Sequence, residues 1–267
     1  MLRSKAKPQM EYFVAHDSIV RKIWGRSDTV LFIFAGAAAQ FSVNKAVDWL
    51  YFTGKLPADP IGRLFSTVTY AKQIIFLEKE KAHAAITRIK SIHTAVENAR
   101  ASVIPDWAYR EVLFMLIHYS ISSFELLERK LTLSEKDEVV HVFCEVGERM
   151  GIPQLPEDYK SWLVMHERQL KHNLEKSSYS VDLYKQYHKH LGSFRYAIML
   201  QVQGAVAPRE VTALLELRYS WFFKPILNAY KWCRKMKTEI LLQSLLLPRA
   251  YKYQVLQLNY HENNSKE

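Results

Sequence analysis

Residues 82–96 read Ala-His-Ala-Ala-Ile-Thr-Arg-Ile-Lys-Ser-Ile-His-Thr-Ala-Val, and this stretch decides the fold class. Its apolar residues recur every three or four positions, at 82, 85, 86, 89, 92 and 96, which is the period of one helix face. The same period continues along most of the chain, and no segment shows the strict alternation that is typical of strands. We therefore predict an all-α fold.

The composition favours one large globular domain. The chain has 267 residues, of which 49% are apolar, with six Trp, fifteen Tyr and thirteen Phe, so it can build a sizeable core. No repeat, low-complexity tract or linker divides it. We predict a single-domain multi-helix bundle over residues 11–255, flanked by a disordered basic arm at 1–10 and a disordered tail at 256–267.

Local start signals place several helices. Asp28 is predicted to cap a long helix that continues to about Tyr51, and Asp59 followed by Pro60 predicts another helix start. A capping box is predicted at Ser134, and one continuous helix over 181–206. The apolar run 30–43 is shorter than the roughly 20 residues that a membrane-spanning helix needs, so we interpret it as a buried central helix.

His93 falls in the apolar stripe of its helix, so we expect its imidazole to point inward. A buried polar group without a partner costs roughly 1–3 kcal/mol, and this side chain should therefore be hydrogen-bonded or act as a ligand. On the pattern alone, a hydrogen-bonded core histidine is the simpler interpretation.

Arg63, Ser66 and Thr67 stack on one face of the preceding helix because they are spaced i, i+3 and i+4. The guanidinium could pair with an anionic carboxylate, and the hydroxyls could donate to a bound oxygen species. The alternative is a surface arginine beside a threonine that is hydrogen-bonded to its own helix.

A second polar line, formed by His118, Ser122 and Glu125, crosses the most apolar helix with i, i+4, i+7 spacing. Glu125 or His118 could act as a proton acceptor in a substrate pocket, or the line could be the wet edge of a core helix. Five other histidines are predicted to lie in polar surroundings: His16, His83, His166, His172 and His261. Sequence motifs of zinc proteases, EF-hands, dinucleotide-binding folds and P-loops are missing.

Short motifs along most of residues 15–255 resemble a family of heme-dependent oxygenases, the one that contains the fungal ER-bound oxygenase MpaB and the bacterial rubber oxygenase. The motifs are Arg-Lys-Ile-Trp-Gly at 21–25, Asp-Thr-Val-Leu at 28–31, Ala-Gly-Ala-Ala-Ala at 35–39, Asp-Pro-Ile-Gly-Arg-Leu at 59–64, Ile-Lys-Ser-Ile-His at 89–93, Leu-Ser at 133–134, Val-Gly-Glu-Arg-Met-Gly-Ile-Pro at 146–153 and Leu-Leu-Pro-Arg at 246–249.

The resemblance implies a noncovalent heme b, with His93 as the proximal ligand of the iron. In this family an Arg-x-x-Lys-Thr motif lies beside the heme, and Arg63 and Thr67 match it, whereas Ser66 stands where the rubber oxygenase has lysine. The implied reaction is the O2-dependent oxidation of an apolar substrate, including oxidative cleavage of a C=C bond in an isoprenoid chain. The acidic catalytic base of the rubber-cleaving members has no aligned counterpart here.

Two alternatives from other classes remain open. The chain could be a heme-binding sensor or carrier without turnover, which would bind heme but consume no O2 with any terpenoid. It could also be a heme-free helical protein that docks on membranes, which would purify without colour.

The net charge of +10 is concentrated at the two ends of the chain, at 1–26 (+4) and 215–267 (+5). No nucleic-acid-binding motif accompanies these charges, so we predict no nucleic-acid partner. Residues 218–237 interleave aromatic and cationic side chains, which is typical of a peripheral contact with anionic lipid but also of a solvated basic face over packed aromatic rings. With no signal-peptide pattern at the start, we expect a cytoplasmic protein.

Overall fold

The computed structural model describes residues 11–54 and 58–235. These residues form eleven helices and no strand, which confirms the predicted all-α fold. The predicted arm (1–10), the predicted tail (256–267) and the part of the predicted domain beyond residue 235 lie outside the described residues. The helices are α1 (Ile19–Trp24), α2 (Ser27–Ser42), α3 (Val47–Phe52), α4 (Pro60–Phe76), α5 (Lys79–Arg100), α6 (Asp106–Leu127), α7 (Leu133–Met150), α8 (Tyr159–His172), α9 (Ser178–Val206), α10 (Arg209–Leu215) and α11 (Phe223–Lys235).

Helix α2 lies at the centre of the fold, packed against α6 and α9. Val30 and Ile33 are fully buried, which confirms the interpretation of this apolar run as a core helix. A Cβ atom at Gly36 would lie only 2.2 Å from the ring of Tyr119, so glycine is what lets α6 approach α2 this closely. Within the described residues, no helix is long and apolar enough to cross a membrane.

The predicted helix starts have mixed outcomes. Asp59 caps α4, because its carboxylate accepts a hydrogen bond from the Gly62 amide (2.8 Å). The capping box of α7 begins at Thr132, two residues before the predicted position, since the side chain of Glu135 reaches back to the Thr132 amide. The helix predicted from Asp28 to Tyr51 is interrupted after Ser42, where Lys45 donates its backbone N–H to the Asn173 carbonyl.

Asp28 has a different role from the cap that the sequence predicted. It lies in the first turn of α2 and is 2% exposed. Its carboxylate accepts a hydrogen bond from the Tyr230 hydroxyl (2.9 Å) and forms an ion pair with Arg234 (2.7 Å), both of which belong to α11. Arg234 also pairs with Glu128 at the end of α6 (2.9 Å). We call this group of four side chains the α2–α11 latch.

The predicted continuous helix over 181–206 is wrong in one respect: α9 bends sharply at Gly192. This residue has φ 72° and ψ 162°, a conformation that glycine adopts without a Cβ clash. The two arms of α9 fold toward each other, because the Tyr184 hydroxyl donates to the side chain of Gln203 (2.9 Å), nineteen residues further along. In a straight helix these residues would lie about 28 Å apart.

Candidate functional site

The first group of predicted site residues lies on the helix pair α4 and α5. A connection of two residues, Leu77 and Glu78, joins these helices, and they pack against each other as neighbours. Such a short connection makes the pair antiparallel, so residues early in α4 lie beside residues late in α5. This arrangement brings Arg63 and His93 together although they are thirty positions apart in the sequence.

His93 is half-buried, and its Nδ1 atom is fully shielded from solvent without a hydrogen bond to any described protein group. The imidazole contacts the ring of Tyr109 edge to face, with 5.2 Å between centroids. Burial lowers the pKa of His93, the positive charge of Arg63 lowers it further, and only Glu97 opposes the shift. The imidazole is therefore neutral at pH 7, the protonation state in which histidine binds metal ions.

Only half of the apolar stripe that surrounds His93 is buried. Ala82, Ala85 and Ile86, in the first half of α5, belong to the core as predicted. Ile92 is 38% exposed, so the prediction that the whole stripe faces inward is wrong for the second half of the helix. His93 thus lies in the second, more accessible part of α5, beyond the residues that are packed in the core.

The polar face of α4 is arranged around Arg63. Ser66 and Thr67 both donate their hydroxyl protons to the Arg63 carbonyl oxygen, at 2.7 and 3.2 Å. The guanidinium donates to Ser66 Oγ (3.3 Å) and forms no ion pair with a described carboxylate. The helix-bonded threonine of the alternative interpretation is therefore present, but Arg63 is half-buried instead of lying on an open surface.

His118 lies on α6 at a second location. Its Nε2 donates to the Val206 carbonyl (3.1 Å), and its ring is 5.2 Å from the ring of His166 on α8. Burial lowers the pKa of His118 to about 4, although the hydrogen bond to Val206 and the charge of Glu210 act in the opposite direction. Because Nε2 carries the proton, Nδ1 is the acceptor nitrogen of this neutral ring.

Glu125 lies at the end of α6 in a cluster of ion pairs. Its carboxylate contacts Lys130 (2.8 Å) and Lys136 (3.0 Å) and accepts the backbone N–H of Leu131 (3.1 Å). Burial alone would raise the pKa of Glu125, but these hydrogen bonds outweigh it and lower the pKa. The structure gives this residue a role in holding the connection between α6 and α7, and none of these contacts reaches Arg63 or His93.

Two buried groups were not recognised from the sequence. His166 is 2% exposed, so the prediction of polar surroundings is wrong: its ring stacks on Trp162 (4.8 Å), and neither nitrogen has a protein hydrogen-bond partner. Glu111 is fully buried, and burial raises its pKa against the hydrogen bonds from Gln40 and Asn173. The spacing Trp162-x-x-x-His166 places both rings on one helix face, a signal that could have indicated the buried histidine.

Two cavities flank the fold. The larger, of about 610 Å³, lies between the two arms of α9 and the connection between α10 and α11. The smaller, of about 400 Å³, lies along the Thr87–Asn98 side of α5. His93, Arg63 and His118 line neither cavity. Among the described residues, no group of three or more His, Cys, Asp or Glu side chains could hold a metal ion by itself.

Comparison with known proteins completes the description of the site. No curated protein and no solved structure matches the chain. Residues 14–234, most of the chain, match the family described as ER-bound oxygenase mpaB/B'/Rubber oxygenase, catalytic domain. This range includes both the Arg63–His93 pair and the latch, and the chain therefore belongs to the MpaB/rubber oxygenase family of oxygenase catalytic domains.

Proposed function

We propose that the protein is a heme b-dependent oxygenase that uses O2 to oxidise an apolar substrate of isoprenoid type, by oxidative cleavage of a C=C bond. Membership in an oxygenase family supports the reaction class. One observation carries the assignment of the heme: His93 has a buried Nδ1 without a partner, next to Arg63, a half-buried cation without a described carboxylate partner. A neutral imidazole beside a guanidinium that has no described carboxylate partner fits a cofactor that has both an iron and carboxylate groups.

In this proposal His93 is the proximal ligand and Arg63 binds a propionate carboxylate of the heme. Ser66 orients the Arg63 side chain, because its Oγ accepts a hydrogen bond from the guanidinium, while Ser66 and Thr67 both donate their hydroxyl protons to the Arg63 carbonyl. When bound, the heme iron supplies the binding and activation of O2. The neutral state of His93 leaves its imidazole ready for ligation without the release of a proton.

Ser66 limits what the family implies for this chain. A hydroxyl cannot replace the lysine amine as a ligand, so a resting state closed by lysine is not available through this position. Cleavage of polymeric rubber is therefore not part of the proposal. His118 remains a predicted proton acceptor through its free Nδ1, whereas the two lysine contacts of Glu125 argue against a catalytic role for that carboxylate.

The test is the reconstitution of the purified protein with hemin, followed by its absorption spectrum and the heme-to-protein ratio. Wild type is expected to bind one heme with a histidine-ligated Soret band, and His93→Ala to lose that band. His93→Gly with added imidazole should recover it, because free imidazole can occupy the space of the side chain. Arg63→Ala should lower heme affinity by about 10-fold to 150-fold, the loss of a charge-assisted hydrogen bond of roughly 1.5–3 kcal/mol.

The matched controls are His141→Ala, which removes an exposed histidine from α7, and Arg88→Ala, which removes an exposed arginine from α5. Both should bind heme as wild type does. An unchanged spectrum and stoichiometry in His93→Ala would contradict the ligand assignment. Heme binding without O2 consumption in the presence of squalene would instead favour a sensor or carrier, and a protein that binds no heme would favour the membrane-docking alternative.

We further propose a peripheral contact between the protein and anionic membranes through residues 218–235, where an apolar substrate would be dissolved. Trp221 (73% exposed) and Trp232 (65% exposed) project from this segment, together with the exposed Lys224. Exposed tryptophans beside cations complement a lipid surface that carries negative headgroups. Arg234 is not part of this surface, because it is 4% exposed and belongs to the latch, and Lys237 lies outside the described residues.

A further inference from the structure

The sharp bend of α9 at Gly192 creates a cavity that the proposed oxygenase site does not use. The cavity has a volume of about 610 Å³, within the range of roughly 300–1,000 Å³ that is typical of small-molecule sites. One wall comes from the first arm of α9, the opposite wall from the second arm, and a third from residues 215–218.

The inner walls of this cavity are apolar and aromatic. The rings of Tyr184 and Tyr196, one from each arm, meet edge to face with 6.5 Å between centroids, and both line the cavity. The hydroxyl of Tyr184 is already bonded to Gln203, so its ring presents carbon atoms to a ligand. Leu200 and Leu217 extend the apolar surface. Such walls suit a hydrocarbon chain, which gains free energy in proportion to the area removed from water.

Cations surround this apolar space. Lys185 and Arg218 line the cavity, and neither forms an ion pair with a described carboxylate. A third cation, Lys176, is paired with Glu216 at 3.1 Å. Two unpaired cations beside aromatic and leucine side chains select a ligand with an anionic group at one end and an apolar chain at the other.

Hydrogen bonds hold the walls in place before any ligand arrives. Gln201 accepts the backbone N–H of Ser220 (2.8 Å) and donates to the Arg218 carbonyl (3.4 Å), which fixes the 215–218 wall against the second arm. Ser180 donates to the Ser42 carbonyl (2.6 Å), which fixes the first arm against α2. A preformed site loses less conformational entropy on binding.

We propose that the cavity between the arms of α9 binds an amphipathic anion, an alkyl chain with a carboxylate or phosphate headgroup. Arg218 and Lys185 bind the headgroup, and Tyr184, Tyr196 and Leu200 contact the chain. The proposal does not depend on heme, because His93 and Arg63 line no part of this cavity.

Isothermal titration calorimetry on the purified full-length protein tests this site, with dodecanoate and dodecyl phosphate below their micelle-forming concentrations and dodecanol below its solubility limit. Both anions are expected to bind once per chain, and the uncharged alcohol at least tenfold more weakly. The comparison of the two anions identifies the preferred headgroup. Arg218→Gln and Lys185→Gln should each weaken anion binding by about tenfold or more, as expected for the loss of a charge-assisted contact.

Lys189→Gln is the matched control, since it removes an exposed cation on the same arm that does not line the cavity. It should leave binding unchanged, and so should His93→Ala, which separates this site from the heme proposal. Leu200→Trp should block the chain-binding wall and abolish binding. Equal affinity for dodecanol and dodecanoate, or anion binding that survives both charge substitutions, would overturn the proposal.

Discussion

Three histidines with lowered pKa values illustrate how differently one residue type is used in this fold. His93 is half-buried beside a cation, His118 donates to a backbone carbonyl, and His166 stacks on an indole without any protein hydrogen bond. Burial is the first cause of the lowered pKa in each case. Only His93 combines a free nitrogen with a neighbouring cation that has no described carboxylate partner, which is why it is the proposed ligand.

The first prediction concerns His166. Burial and the nearby His118 hold its pKa well below the usual value near 6.5, so the unfolded chain binds protons more readily than the folded protein below that pH. The free energy of unfolding should therefore decrease as the pH falls from about 7, with a slope of up to about 1.4 kcal/mol per pH unit from each such histidine. His166→Phe keeps the stacked ring and removes one titrating group, so it should be more stabilising at pH 5 than at pH 8.

Urea unfolding of wild type and His166→Phe at a series of pH values measures this effect. His141→Phe, which replaces an exposed histidine, serves as the control and should leave the pH dependence unchanged. A His166→Phe stability difference that is the same at pH 5 and pH 8 would show that the buried histidine does not titrate as argued.

At the level of the elements, the latch attaches the last described helix to the centre of the bundle. The side chains of Arg234 and Asp28 are each 3% exposed, and their ion pair is the shortest that either of them forms, at 2.7 Å against 2.9 Å for Arg234 with Glu128 and 3.7 Å for Asp28 with Arg26. When one partner of a buried ion pair is removed, the remaining charge is left without compensation, which costs about 3–5 kcal/mol. The pair therefore specifies how α11 is placed, although its net contribution relative to an apolar pair is small.

The second prediction follows from this dependence. Arg234→Met should lower the free energy of unfolding by up to about 3–5 kcal/mol, because Asp28 then loses its close, buried cation and keeps only the longer contact with the partly exposed Arg26 (3.7 Å). The double substitution Asp28→Asn and Arg234→Met should recover a large part of that loss. Arg129→Met is the control: it removes the exposed pair with Glu135, which contributes at most about 1 kcal/mol. Chemical denaturation of wild type and the three variants makes the comparison, and a double variant no more stable than Arg234→Met would argue against the pairing.

Some features of the helices follow from residues that are close in sequence, whereas others depend on contacts with distant residues. The periodicity predicted the helical class, the short apolar run predicted the buried α2, and Asp59 with Pro60 predicted the start of α4, because each of these depends on residues within a few turns of each other. It did not predict the bend at Gly192, since an isolated glycine is tolerated inside a helical pattern and the fold-back depends on Tyr184 and Gln203. The local pattern predicts a helix cap at Asp28. It contains no sign of the partner Arg234, which lies 206 positions away in the sequence.

The candidate site also combines a feature that local spacing predicts with features that it does not predict. The i, i+3, i+4 spacing correctly placed Ser66 and Thr67 beside Arg63, which is a property of one helix. The proximity of Arg63 to His93 depends on the antiparallel packing of α4 and α5, and only the family resemblance pointed to it. The exposure of Ile92 depends on which helices pack against the second half of α5, and no pattern within a single helix records this.

At the scale of the whole molecule, basic residues near the end of the described chain occur together with exposed aromatic side chains. The exposed aromatic side chains of residues 218–235, among them Trp221, Phe222 and Trp232, lie in the same segment as the basic residues Lys224 and Lys231. A surface of this kind partitions into the headgroup region of a bilayer, with each cation contributing about 1 kcal/mol when the lipids are anionic. An isoprenoid dissolves in the bilayer, so a protein bound at the bilayer surface would meet this substrate at a high local concentration.

The third prediction is cosedimentation of the protein with vesicles of phosphatidylserine and phosphatidylcholine at low salt, and weaker binding in 0.5 M NaCl. At that salt concentration, the attraction between exposed charges extends over only a few ångströms, so the contact with anionic lipid is weakened. Lys224→Gln combined with Lys231→Gln should reduce the binding, and Trp221→Ser combined with Trp232→Ser should nearly abolish it. Lys160→Gln combined with Lys171→Gln, on the exposed side of α8, is the charge-matched control. Equal binding by all variants would exclude this segment as the contact.

The distance along the chain between the two ends of the latch also bears on how the protein is made. Asp28 leaves the ribosome long before Arg234, which follows 206 residues later. At a synthesis rate of 5–20 residues per second, Arg234 is therefore synthesised roughly 10–40 s after Asp28. Until then the nascent chain can enclose the end of α2 only with Asp28 held by the partly exposed Arg26 (3.7 Å), without the buried ion pair that Arg234 supplies. Ribosome-bound chains that stop before Arg234 should thus remain open around α2 and attract chaperones, and synthesis of the last described helix should complete the folding of the first long one.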